Sequence, residues 1–313
     1  MGIRLRRSLI MMSRFKLSPA GPDVSALAYG VWRLADDPAG SSVARIREKI
    51  DTCFEVGITT FDHADIYGLY TCEGLFGRVL QESPGLRDRM QIITKCGINV
   101  VCGNRPGVRV NHYDVTTPAI ERCVERSLRE LHTDYVDVLL VHRPDWLTSA
   151  EETARGLSRV IAAGKVRSVG VSNYSTHQFA LLSKYLGSAP VTNQVEVNLL
   201  RMDAIYDGTL DQCQAAEVRP MAWSPLGGGR LLTSSDAAAV RTRAALTRIG
   251  AEYGVTAEQI ALAWVALLPS RPQVVIGTNQ PSRIRDAAGS LQLKLDRQHW
   301  YELWEAAQGR SVP

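Results

Sequence analysis

Phe61-Asp62-His63-Ala64-Asp65-Ile66-Tyr67-Gly68 decides the fold, read with three segments that follow it: Ile93-Thr94-Lys95-Cys96-Gly97, Leu140-Val141-His142-Arg143-Pro144 and Gly170-Val171-Ser172-Asn173-Tyr174. Each contains or follows a short β-branched run suited to a buried strand, then passes into loop-like residues. An acid, a phenol, a lysine and an imidazole thus fall at the ends of successive strands. A parallel β/α barrel keeps its chemistry at the C-terminal ends of its strands. Alone, any of these residues reads as a cap, a core aromatic or a solvated charge. Four on four strand ends predict one active site.

Outward from these segments, strand-like runs alternate with helical periodicity. The strands are expected at 25–30, 59–62, 90–94, 136–141, 166–171, 191–197, 219–224 and 274–277, eight in all. Helical patterns fall at 44–56, 119–131, 153–163, 178–184 and 237–253. Such alternation implies βαβ units and a parallel sheet, and right-handed crossovers repeated eight times close a barrel. A doubly wound nucleotide fold would want GxGxxG after an early strand. The first strand instead ends Gly30-Val31-Trp32-Arg33, and Gly227-Gly228-Gly229 is a lone cluster late in the chain. The expectation is an α/β chain with one (β/α)8 TIM-barrel domain over residues 12–313, preceded by a disordered leader or extended start at 1–11. At 296–308, Trp300, Leu303, Trp304 and Ala307 fall at helical spacing, so an amphipathic helix is expected on the barrel.

The 313 residues are 45% hydrophobic and 22% charged, with a formal charge of +4. The basic residues are scattered and not interleaved with aromatics, which argues against nucleic-acid binding. No apolar run reaches the ~18 residues a membrane span needs, and the basic-then-apolar start lacks a cleavage pattern. Six cysteines without CxxC or CxxH spacing read as reduced thiols of a cytoplasmic protein. Cys72 and Cys96 lie near the motifs, but small buried hydrophobes is the simpler reading. Asp62-His63-Ala64-Asp65 has no metal-ligand spacing, and no metal is expected.

A free phenol titrates near ~10 and exchanges protons poorly at neutral pH. Lys95 beside Tyr67 would lower that pKa, and Asp62 would hold Lys95 charged. His142 would donate a hydrogen bond to a carbonyl oxygen. With no nucleophile and no metal cage, this set needs an external hydride to reduce a carbonyl.

On these motifs the chain resembles the aldo-keto reductase family, its bacterial short-loop oxidoreductase branch in particular, from about Met12 to Pro313. The resemblance implies NADPH-dependent reduction of aldehydes or ketones. It makes Tyr67 the general acid, has Lys95 and Asp62 tune it, and has His142 orient the substrate. Ser172, Asn173 and Gln194 match the family's carboxamide-binding positions, and Trp223 matches the aromatic that stacks on the nicotinamide. The loop from Ser224 through Leu226 and Gly228 to Arg230 matches the pyrophosphate stretch. Gly277, Thr278 and Arg283 fall in the adenosine-phosphate stretch. Many relatives carry lysine where Gly277 falls, so NADPH preference rests on Arg283, with NADH as a weaker donor.

Trp32 is expected at the pocket mouth, with the loop 97–117 along one side. The brief tail after Gln308 points to an open pocket. The partner is a small carbonyl compound, and the chain a monomer or weak homo-oligomer. Two other readings compete with the reductase. One is an NADPH-binding redox sensor with little turnover. The other is a Schiff-base aldolase using Lys95, which leaves the cofactor-like segments unexplained.

Overall fold

The strands Leu27–Gly30 (β1), Thr60–Asp62 (β2), Gln91–Cys96 (β3), Val136–Val141 (β4), Val166–Ser172 (β5), Asn193–Glu196 (β6), Met221–Trp223 (β7) and Gln273–Ile276 (β8) pair in parallel. They close into a barrel where Val274 of β8 meets Leu27 of β1. The computed structural model describes residues 12–313, so the expected leader at 1–11 lies outside the described residues. Among the described residues no helix is long and apolar enough to cross a membrane.

Side chains alternate between the two faces of a strand. Leu27, Tyr29, Phe61, Ile92, Leu139, Val141, Val274 and Ile276 share one apolar cluster with the surrounding helices. Ala28, Ile93, Val138, Leu140, Met221 and Val275 form a second cluster that fills the barrel. A hairpin of Arg14–Lys16 and Asp23–Ser25 adds Leu17 and Val24 to that inner cluster, plugging the N-terminal end. The same two-residue period carries the inward face from Ile93 to Lys95 and from Leu140 to His142. Gly170 occupies an inward position where a Cβ would lie 2.6 Å from Leu140 Cδ2. Only glycine fits there.

Most of the expected strands are shortened by a residue or two. Two differ for a physical reason. Ser25 pairs with Arg14 in the plug and not within β1. β3 runs on through Cys96 because Lys95 and Cys96 pair with Leu140 and Val141 of β4, which sets Lys95 inside a strand and not in a loop.

The helices that carry site residues or their supports are Val43–Glu55 (α1), Cys72–Gln81 (α2), Thr117–Leu131 (α3) and Pro281–Ser290 (α4). Ser42 caps α1 by accepting from the Arg45 amide. The C-terminal helix spans Arg297–Gln308, with Leu303, Trp304 and Ala307 buried as the amphipathic pattern expects. Trp300 stacks on Trp264 at 4.7 Å, and each indole N–H donates to the other's backbone carbonyl at 3.0 Å.

Candidate active site

Lys95 is the hub. Its Nζ donates to Asp62 Oδ1 and Oδ2 at 2.7 and 2.8 Å, to the His63 carbonyl at 2.8 Å and to Tyr67 Oη at 3.1 Å. Lys95 is wholly buried and Asp62 nearly so, and the β2–β3 register brings the two strand ends together. His142 follows β4, where its amide donates to the Cys96 carbonyl at 2.9 Å. Its ring stands edge-on to Tyr67, centroids 6.0 Å apart. Trp32, half exposed after β1, lies 6.4 Å from the Tyr67 ring. All four expected catalytic side chains and Trp32 therefore meet at one end of the barrel.

The electrostatics correct one expectation. Tyr67 is raised above the ordinary phenol value, because burial outweighs the adjacent Lys95 ammonium, which pulls the other way, and the Asp62 carboxylate adds to the rise. The phenol is thus protonated at neutral pH. Burial alone would push the Lys95 ammonium down. Asp62 and Tyr67 more than offset that, and it lies above the ordinary lysine range. Burial, with Lys95 and Arg143 nearby, holds His142 well below the usual histidine value, so the ring is neutral. Its Nδ1 is buried without a hydrogen-bond partner among the described residues.

Beside this cluster the polar residues interlock. Gln194 Nε2 donates to Asp62 Oδ1 at 2.8 Å, tying the expected carboxamide set to the tetrad. Ser172 Oγ donates to the Gln194 carbonyl at 2.8 Å. Asn173 Nδ2 donates to Ser172 Oγ at 2.8 Å, and Trp223 Nε1 donates to Asn173 Oδ1 at 3.2 Å. Asn173 and Ser224 hold φ of 59° and 49°, left-handed values costly for non-glycine residues. The Asn173 amide donates to the Gln194 carbonyl at 2.9 Å, and Asn198 Nδ2 donates to the Ser224 carbonyl at 2.9 Å, so neighbouring chain fixes both.

The groove continues past Leu226 to Gly227, Gly228 and Gly229, with φ of 59°, 69° and 100°. These values favour glycine. Arg230 Nε donates to the Gly227 carbonyl at 3.4 Å. At the far end, Thr278 accepts from Tyr29 Oη through its carbonyl at 3.1 Å, and Gly277 is partly open. Arg283 is exposed in the first turn of α4 and has no hydrogen bond or ion pair among the described residues.

Several contributors were missed. Asn279 lies between the expected Thr278 and Arg283, and its amide group joins buried Lys49 and the Arg33 carbonyl. Lys49 and Asp37 carried no motif, although Arg33 and Asn279 adjoin residues that did. Tyr70 was also passed over. Gly68, Leu69 and Tyr70 are left-handed in succession after Tyr67. Asn104 holds the Leu69 carbonyl at 2.7 Å, and the Arg105 and Arg126 guanidiniums lie over the Tyr70 ring. Arg126 is fixed by buried Asp65 at 2.6 Å. The loop expected along one side carries a small hairpin of Ile98–Asn99 and His112–Tyr113, with Tyr113 against exposed Trp146. Cys72 and Cys96 are buried, and burial pushes the Cys72 thiol up to about 11, so neither behaves as a reactive thiolate.

A closed β/α barrel with a buried Asp–Lys–Tyr cluster and a neutral histidine at the C-terminal strand ends is a barrel enzyme equipped for proton transfer to a carbonyl. The model of the aldo/keto reductase family matches residues 26–308, and the chain belongs to that family. It is 47% identical over 290 residues to 6-dehydroglucose reductase of Agrobacterium fabrum, covering 93% of this chain and 96% of that one. It is 42% identical over 303 residues to oxidoreductase YdhF of Escherichia coli, covering 97% and 100%. The crystal structure of thermostable aldo-keto reductase Tm1743 with the inhibitor epalrestat superposes with a TM-score of 0.75 at 26% identity, covering 94% and 100%. The chain is accordingly an NAD(P)H-dependent oxidoreductase that acts on carbonyl compounds.

Proposed function

We propose that the chain reduces aldehydes or ketones to alcohols with NADPH, Tyr67 being the proton donor. The observation that carries this reading is the contact set of Lys95, whose ammonium touches both Asp62 oxygens and the Tyr67 hydroxyl. A bound nicotinamide supplies the hydride. Tyr67 Oη holds the proton that the substrate oxygen receives. Lys95, fixed by Asp62, stabilises the negative charge left on that oxygen as the proton departs. Neutral His142 offers an N–H to the carbonyl oxygen and orients it toward Tyr67.

The donor set along the groove fits a dinucleotide. Ser172, Asn173 and Gln194 suit the carboxamide, and the Trp223 face suits the ring. Ser224, Leu226, Gly228 and Arg230 would lie along the diphosphate, where an added Cβ at Gly229 would meet nothing within 4 Å. Gly277, Thr278 and Arg283 would receive the adenosine phosphate. Arg283, without an acidic partner, supports NADPH over NADH through a charge-assisted bond to a 2′-phosphate. Gly277 removes a cation that many relatives have, so NADH remains a weaker donor. The name of the 47%-identical relative makes a sugar carbonyl the first substrate to try.

NADPH fluorescence titration followed by an aldehyde, ketone and sugar-carbonyl panel tests the reading. Binding with carbonyl-dependent loss of absorbance is expected. Tight binding without turnover would favour the sensor role, and no binding would sink both.

A further inference from the structure

Arg33 crosses the groove that separates the loop after β1 from the loop after β7. Its Nη2 donates to the Gly228 carbonyl at 2.6 Å. The two ends of Arg33 are held very differently. Its backbone carbonyl accepts from Asn279 Nδ2 at 2.6 Å. Asn279 is in turn fixed twice: its Oδ1 accepts from Lys49 Nζ at 2.9 Å, and its carbonyl from Arg45 Nη2 at 2.7 Å. Both cations bond Asp37 Oδ2, at 2.6 and 2.9 Å, and Lys49 and Asp37 are buried. The base of Arg33 is therefore bolted to α1 and the loop after β8. Its tip is solvent-exposed and holds a single hydrogen bond, to a left-handed glycine.

The chemistry at that tip indicates what it would bind. Arg33 and Arg230 approach the carbonyls of Gly228 and Gly227, and neither guanidinium has an ion-pair partner among the described residues. Two uncompensated cations thus sit on neutral acceptors of one glycine loop. Anionic oxygens are better acceptors for a guanidinium than a peptide carbonyl, so a diphosphate entering the groove would displace Gly228 from Arg33. A Cβ at Gly228 would come 3.8 Å from Arg33 Nη2, so little room separates arm from loop.

We propose that Arg33 is a latch on the cofactor: its guanidinium exchanges the Gly228 carbonyl for the dinucleotide diphosphate and slows its release. The inference rests on the NADPH reading above. It extends that reading by giving the loop after β1 a binding cation that no motif marked.

The test is NADPH fluorescence titration and stopped-flow displacement on wild type, Arg33→Gln and Arg33→Lys, at two ionic strengths. Gln can still donate to Gly228 but carries no charge. Arg33→Gln should raise both Kd and the dissociation rate roughly ten- to a hundredfold. It should also flatten the salt dependence of Kd, because one screened charge contact is gone. Arg33→Lys should recover part of the affinity and most of the salt dependence. If Arg33→Gln binds within twofold of wild type, or weakens with an unchanged salt dependence, Arg33 is not a diphosphate ligand. Failure of wild type to bind NADPH would instead overturn the parent reading. Thermal melts of both variants exclude misfolding as the cause.

Discussion

Two lysines of this barrel are completely buried against an aspartate, and the barrel uses them differently. Lys95 meets both oxygens of Asp62, a backbone carbonyl and the Tyr67 hydroxyl. Lys49 meets one oxygen of Asp37, which it shares with Arg45, and the neutral amide oxygen of Asn279. The pairs titrate in opposite senses. Burial pulls Lys49 below the ordinary lysine range, Asp37 compensating only in part and Arg45 adding repulsion. The same burial acts on Lys95, yet its anionic surroundings leave it above that range. A buried ammonium thus depends on how many anionic oxygens face it and whether it shares them. Lys95 sits at a strand end and delivers charge to a reacting phenol. Lys49 sits on α1 and holds a loop.

Replacing each lysine by methionine separates the two roles. Lys95→Met strips the charge from Tyr67 and leaves Asp62 buried and unpaired, so kcat should fall on the order of a thousandfold and stability by ~3–5 kcal/mol. Lys49→Met leaves Arg45 on Asp37, so its stability loss should be smaller. Its kinetic effect should fall mainly on the KM for NADPH, raised about tenfold, because Asn279 loses a support. Steady-state kinetics and melts read both, and equal falls in kcat would erase the distinction.

Glu73 sharpens the point from the other side, as a buried acid with no cation in contact. Thr94 and Ser127 donate to its two oxygens at 2.6 and 3.0 Å. Burial pushes its carboxyl up to about 7, those two bonds opposing the rise. Its unfolded value is near ~4.3, so folding takes up a proton between the two. The stabilising contribution is complete below the unfolded value and is lost as pH rises through about 7. Glu73→Gln cannot ionise. Its melting temperature should match wild type near pH 5 and exceed it by a few degrees at pH 8. A constant difference at both pH values would contradict this.

The barrel was legible because strand runs and helical periods alternate along nearly the whole chain. The tetrad positions were legible because they end β-branched runs, and a period of two turns Lys95 and His142 inward with Ile93 and Leu140. What escaped was tertiary. Lys49 looks like any helix lysine until α1 lays it against Asp37. Asn279 has no local signature for meeting Arg33, 246 residues away. The direction of the Tyr67 shift also escaped, since a motif names its neighbour Lys95 but not the burial that outweighs it.

The claim that Tyr67 donates the proton is tested most directly by single-turnover NADPH oxidation with saturating aldehyde, for wild type and Tyr67→Phe, from pH 6 to 11. An acid must be protonated to act, and burial raises this one. Wild type should therefore stay flat through neutral pH and lose rate only above ~10, while Tyr67→Phe binds NADPH yet is slower by about three orders of magnitude. A wild-type rate that falls with a midpoint near pH 7, or a Phe variant that keeps that rate, would contradict the assignment.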